Sequence, residues 1–135
     1  MLTYLLWIVL VAAVTIAALT TYFAWRTGKL AATAERAVPQ TGKTVEIDGD
    51  TIHYVEQGRG RPILFVHGLG GQLHHFRQPL FPLLADDFRL IAIDRPGSGY
   101  STRSGSAADI GDQARVIATL IDRLKLQKPL LVGHS

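Results

Sequence analysis

Three short apolar runs constrain this chain more than any other feature. Ile63-Leu64-Phe65-Val66, Arg89-Leu90-Ile91-Ala92-Ile93 and Leu130-Leu131-Val132 all lack the polar-apolar alternation of a half-exposed strand. Unalternating strands are covered on both faces, which is the condition of strands in a parallel sheet. The segments between them carry helical signals. Leu80, Leu83 and Leu84 share a face, and Pro79 and Pro82 suit the first turn of a short helix, where a missing N–H costs little. Ile110, Ala114, Ile117, Ile121 and Leu124 recur at helical spacing. Asp109 and Asp112 at the start of that helix, and Arg123 and Lys125 at its end, match the helix dipole. Ahead of these runs, Thr44 to Ile47 and Thr51 to Val55 alternate around Asp48-Gly49-Asp50, the pattern of an antiparallel hairpin. The predicted order is hairpin, then strand-helix-strand-helix-strand. This is an α/β fold, with the later strands parallel and joined by right-handed crossovers.

The first 25 residues stand apart. Leu2 to Trp25 contains no charged side chain. As a helix it would be about 36 Å long, against a bilayer core of about 30 Å. Tyr4 and Trp7 near one end, with Tyr22 and Trp25 near the other, have the spacing of two interfacial aromatic belts. Thr15, Thr20 and Thr21 can return their hydroxyls to the preceding turn. A cleaved signal peptide is the rival reading, because Ala32-Thr33-Ala34 fits a small-x-small cut site. The N-terminal flank lacks Lys and Arg, however, and the apolar run exceeds a normal signal core. The expected organisation is a transmembrane helix over 1–25, a juxtamembrane linker over 26–42 and a folded domain over 43–135. Arg26, Lys29 and Arg36 all follow the helix, so the folded part is expected in the cytoplasm, with an exported orientation as the alternative.

Charge and composition exclude several classes. The formal net charge is +3. Two of these charges arise from Arg26, Lys29 and Arg36 against Glu35, which leaves the domain nearly neutral. A basic stripe across the domain, as nucleic-acid binding requires, is missing. Cysteine is absent, so disulfides and Cys-ligated metals are excluded. Residues 97–101 lack the Lys-Ser/Thr ending of a phosphate loop. No cofactor or metal is expected. The expected partners are a small-molecule acyl substrate and, through residues 2–25, a lipid bilayer.

Each of the three buried strands runs into a loop at its carboxyl end, where ligands bind in open α/β sheets. These loops are His67-Gly68-Leu69-Gly70-Gly71, then Asp94-Arg95-Pro96-Gly97-Ser98-Gly99-Tyr100-Ser101, then Gly133-His134-Ser135. Together, and in this order, they resemble the α/β-hydrolase family over about residues 43–135. The last is the first half of a G-x-S-x-G nucleophile elbow, a strained turn that exposes a serine hydroxyl. The resemblance implies the N-terminal half of an α/β-hydrolase sheet, preceded here by one transmembrane helix. It assigns Ser135 as nucleophile and the Leu69 backbone N–H as one of two oxyanion-hole donors. Serine at the nucleophile position argues against the dehalogenase and epoxide-hydrolase branches, which use a carboxylate. It favours esters, thioesters, amides, lactones or vinylogous carbon–carbon bonds.

The remaining polar residues have plainer roles in such a family. His67 buttresses its loop, and His74 and His75 lie behind the oxyanion turn. His134 points away from the reaction. Asp94 stabilises the turn that it opens, through side-chain-to-backbone hydrogen bonds, and Arg95 is structural. The family's order is serine, then acid, then histidine, so the rest of the triad, the cap and the last strands are expected beyond residue 135. The chain therefore reads as an N-terminal fragment of a membrane-anchored serine hydrolase, inactive alone, whose final strand is an open apolar edge. The alternatives are a non-enzymatic membrane-tethered remnant, and an acyltransferase or carbon–carbon hydrolase on the same scaffold.

Overall fold

The computed structural model describes residues 1–104 and 109–134, which form two compact units, Met1–Gln40 and Thr41–Ser135. The first unit is a single helix, α1 (Leu2–Ala37), with none of its residues buried. The linker expected over 26–42 is thus helical as far as Ala37. Leu30, Ala31, Ala32, Ala34, Glu35 and Arg36 are strong helix formers. Pro39 stops the helix by forcing the residue before it out of helical geometry, and Val38 has φ −130° and ψ 76°. Thr15, Thr20 and Thr21 each donate to the carbonyl four residues back at 2.8 Å, as their sequence context implies. One turn groups aromatic and basic side chains. The Lys29 ammonium lies 4.2 Å from the Trp25 ring centroid, and the Arg26 guanidinium donates to the Tyr22 hydroxyl at 3.3 Å.

The second unit is a mixed five-stranded sheet with a helix on each face. Its strands are β1 (Lys43–Ile47), β2 (Asp50–Gln57), β3 (Arg61–Val66), β4 (Phe88–Ile93) and β5 (Leu130–Gly133), in the order β1-β2-β4-β3-β5. The expected hairpin is β1 and β2. β2 also pairs antiparallel with β4, whereas β4, β3 and β5 are parallel neighbours. Helices α2 (His74–Leu84) and α3 (Ile110–Arg123) connect β3 to β4 and β4 to β5. The two connections run in opposite directions across the sheet, so crossovers of one hand put their helices on opposite faces.

Alternation along the central strands divides the core in two. Leu64, Ile91 and Ile93 pack with Ile52 and Tyr54 against Val116 and Leu120 of α3. Ile63, Phe65, Leu90 and Ala92 pack with Val55 against Leu73, Phe76 and Phe81 on the α2 side. β2 is therefore covered on both faces from Ile52 to Val55, although its sequence alternates. β5 lies at the sheet edge, with Leu130 and Leu131 about half exposed. Only one side of its hydrogen-bonding ladder is paired, the liability of an apolar edge strand.

Two helix expectations need correction. α2 begins at His74, so Pro79 and Pro82 lie inside it rather than in its first turn. Buried Leu73 fixes the early start, because its N–H donates to the Asp94 carboxylate. Each proline then removes one intrahelical bond. In α3 the buried residues are Val116 and Leu120, with Ile117, Ile121 and Leu124 partly buried beside them, while Ile110 and Ala114 are exposed. Asp109 caps this helix by accepting from the Gly111 N–H at 2.9 Å.

Candidate active site

An open cavity of about 610 Å³ lies at the carboxyl ends of β3, β4 and β5. The connections leaving β3 and reaching β5 run in opposite directions across the sheet, so the switch in strand order falls between these two strands, where ligand crevices form in such sheets. Val66 to Leu69 form one wall, and Gly133 and His134 form the next. Arg95 and the first turns of α3 complete it. β3 and β5 are in register, with Val66 opposite Gly133, and the His134 N–H donates to the Val66 carbonyl. The chain after β5 thus emerges beside the loop after β3. Ser135, the sequence-assigned nucleophile, lies outside the described residues.

The loop after β3 contains a tight turn. Gly71 N–H donates to the Gly68 carbonyl at 3.1 Å, which places Leu69 and Gly70 at its two central positions. Gly70 has φ +68°, the left-handed geometry that glycine adopts without a Cβ penalty. Leu69 is 96% exposed, and its N–H has no acceptor among the described residues. An oxyanion hole requires such a free main-chain donor facing a cavity.

His67 is unsuited to act as a base. Its Nδ1–H donates to the Gly68 carbonyl at 2.8 Å, while its Nε2 accepts from the Arg95 N–H at 3.0 Å. One nitrogen donates and the other accepts, so the ring is neutral with both positions occupied. Burial pushes its pKa below the ordinary histidine range, and the Arg95 charge pushes it further the same way. His67 therefore ties the loop after β3 to the loop after β4. His74 and His75 open α2. The His134 ring meets Phe76 edge-on at 6.5 Å, although part of the residue lines the cavity.

Asp94 organises the loop after β4. Its buried carboxylate accepts from Leu73 N–H at 2.9 Å, from Tyr100 N–H at 3.1 Å and from the His53 ring at 2.8 Å. Ser101 returns its hydroxyl to the Asp94 carbonyl at 2.7 Å. The same hydroxyl accepts from His53 N–H at 2.8 Å. Asp94 thus joins β2, β4, α2 and its own loop, and does not line the cavity. Sequence reasoning missed His53. The only available signal was a polar residue on a strand whose second face proved to be covered.

Gly99 passes directly over that carboxylate. A Cβ there would fall 2.2 Å from Asp94 Oδ2, and the backbone has φ +53°. Gly99→Ala should therefore destabilise the domain by at least about 2 kcal/mol, from left-handed strain plus displacement of the carboxylate. Urea unfolding would check this, and a loss below about 0.5 kcal/mol would show the loop to be more yielding than its packing implies.

A family profile described as the alpha/beta hydrolase fold matches residues 61–135. The chain belongs to this family. It is 34% identical over 106 residues to the dihydrolipoyllysine-residue acetyltransferase component of the acetoin cleaving system of Pseudomonas putida, covering 76% of this chain and 28% of that protein. It is 41% identical over 85 residues to haloalkane dehalogenase 2 of Mycobacterium tuberculosis, covering 62% of this chain and 29% of the relative. The solved structure of E-2-(acetamidomethylene)succinate hydrolase superposes with a TM-score of 0.66 at 36% identity, covering 70% of this chain and 35% of that one. The chain thus spans about a third or less of the length of these relatives.

Proposed function

We propose that this chain is the nucleophile-bearing part of a membrane-anchored serine hydrolase acting on esters or related acyl compounds. One observation carries the reading. The register of β3 with β5 brings Gly133 and His134, which lead into Ser135 in sequence, out beside the loop that carries Leu69, at the wall of one cavity. Ser135 would attack the acyl carbonyl, and the Leu69 N–H would receive the oxygen as it becomes negative. The second donor is the N–H after the serine, and the acid and histidine follow later in the family's order. Serine at this position separates the chain from the dehalogenase among its relatives. The acetyltransferase name of the Pseudomonas putida relative favours acyl transfer as a second outcome of the same acyl-enzyme chemistry. Active-site labelling tests the proposal. A fluorophosphonate probe should modify Ser135 in a chain continued in frame past that residue, and Ser135→Ala should abolish the labelling.

The anchor is α1. Support comes from its apolar length, its full exposure and the Trp25–Lys29 and Tyr22–Arg26 pairs at one turn. Those pairs mark an interfacial depth, because aromatic rings and snorkelling cations collect at the headgroup level. The domain organisation proposed is a membrane span over 1–25, its helical continuation and linker to residue 42, and the catalytic domain from 43, facing the cytoplasm. The expected result is a chain that stays with membranes through a carbonate wash and retains Met1 to Ala34. A soluble product beginning at Glu35 would identify a cleaved leader instead. An active C-terminal alkaline-phosphatase fusion in a bacterial host would reverse the orientation.

A further inference from the structure

We propose that Arg95 is an anion anchor of the cavity, selecting acyl substrates that carry a carboxylate. This inference rests on the hydrolase reading of the same cavity and names its substrate class.

The backbone at Arg95 is rigidly held. Its N–H is bound to His67, Asp94 before it is fixed on three sides, and Pro96 after it is buried. Arg95 itself lines the cavity. Its Nε is sealed from water and has no acceptor among the described residues. Neighbouring arginines are served differently. Arg89 pairs with Glu56 at 2.6 Å, and Arg115 pairs with Asp112. Among the described residues no carboxylate pairs with Arg95, and none lines the cavity.

A guanidinium cannot discard its charge, so partial burial leaves it poorly solvated until an anion reaches it. Leu69, Ile110 and Ile117 make the surrounding wall apolar. The planar fork fits a planar carboxylate held side-on through Nε and one Nη, after a small turn of the side chain towards the cavity. His67 is held neutral by burial and by Arg95 itself, so it adds no second positive charge. A single guanidinium matches a monoanion better than a phosphate dianion. Leu69 lines the same cavity, so on the hydrolase reading the substrate is an ester, thioester or amide with a free carboxylate on a short acyl chain.

The test follows the Arg95 Nε–H signal by nitrogen-resolved NMR of the 135-residue chain in detergent micelles. The ligands are monomethyl glutarate and its neutral counterpart, dimethyl glutarate. The acid should shift that signal and bind about 10- to 100-fold more tightly than the diester, the range for a hydrogen-bonded charge pair. Arg95→Met should erase the difference, and Arg95→Lys should keep part of it. Equal binding of acid and diester by the unsubstituted chain, or an unmoved Arg95 signal, overturns the proposal even if a variant fails to fold. Fluorophosphonate labelling of the chain continued past Ser135 separates the two readings. Labelling without a preference for the acid would reject Arg95 and leave the hydrolase. A preference without labelling would reject the hydrolase and leave the anion site.

Discussion

Residues 1–135 alone should show no measurable hydrolysis of a short-chain p-nitrophenyl ester, whereas a chain continued in frame past Ser135 should turn it over. The first half of this expectation follows from the five histidines of the chain. His53 is buried against Asp94, and His67 has both nitrogens engaged within its loop. His74 and His75 open α2, and burial holds the His74 pKa below the ordinary range. His134 is the immediate neighbour of Ser135, the proposed nucleophile, in sequence. Among the described residues, the histidine paired with a carboxylate is His53, and its other ring nitrogen meets the Thr41 carbonyl. On the proposed mechanism residues 1–135 supply the Leu69 donor but not the N–H that follows the serine, and loss of one such donor costs about 100- to 1,000-fold in turnover. Absence of the base costs about 10,000-fold or more, and the losses overlap because the groups act as a unit. A combined deficit of at least about 10,000-fold is expected. Hydrolysis by the 135-residue chain within 100-fold of the continued one would mean that a base has been overlooked. A continued chain that hydrolyses no member of a broad acyl panel would count against the serine-hydrolase proposal itself.

Much of the sheet was legible because its signals are local. The unalternating runs at Ile63 to Val66 and Leu90 to Ile93 mark strands covered on both faces, and those strands lie at the centre of the sheet. Strand order was less accessible. Nothing in the pattern of Thr51 to Val55 states that β2 pairs with β4 as well as with β1, because that pairing depends on contacts distant in sequence. The same long-range pairing buries His53, which alternation alone would have turned outward. Pro79 and Pro82 misled for a related reason. Proline reports local cost, but α2 begins where Asp94 captures the Leu73 N–H, a contact between residues far apart in the chain. The linker after Trp25 was read from charge and composition, yet its alanines and the distance to Pro39 extend α1 to Ala37.

The site was legible as a set of loops and not as a set of contacts. His67-Gly68-Leu69 could be placed at the end of a strand from sequence, with the turn residue Gly70 explaining why the Leu69 N–H faces outward. The tautomer of His67 needed the structure, since its acceptor bond comes from Arg95 in another loop. Arg95 shows the limit most clearly. Sequence supplies an arginine in a glycine-rich turn, for which a structural role is the economical reading. Its sealed Nε and its place on the cavity wall emerge only once His67 and Asp94 have fixed the backbone on either side.

Asp94→Asn should cost the domain about 1–3 kcal/mol, the range for leaving a buried donor without its acceptor. The argument lies in its partners. Asp94 accepts from three donors on three segments, Leu73 before α2, Tyr100 in its own loop and His53 on β2. Asparagine keeps one acceptor for Leu73, but its NH₂ then faces the Tyr100 N–H, and a donor cannot satisfy a donor. His53 is 1% exposed, so water cannot replace the lost acceptor. The effect should reach the cavity, because Asp94 holds the start of α2 and the residue before Arg95. Urea unfolding in detergent gives the stability loss, and amide exchange should show faster opening at Leu73 and Tyr100 than along β3. His53→Asn alone should also destabilise, and the double substitution should cost less than the sum, since each removes the same pair. Additive losses would show that the two residues act independently. An Asp94→Asn loss below about 1 kcal/mol would show that the loop is held by Ser101 and its backbone bonds to β2 instead.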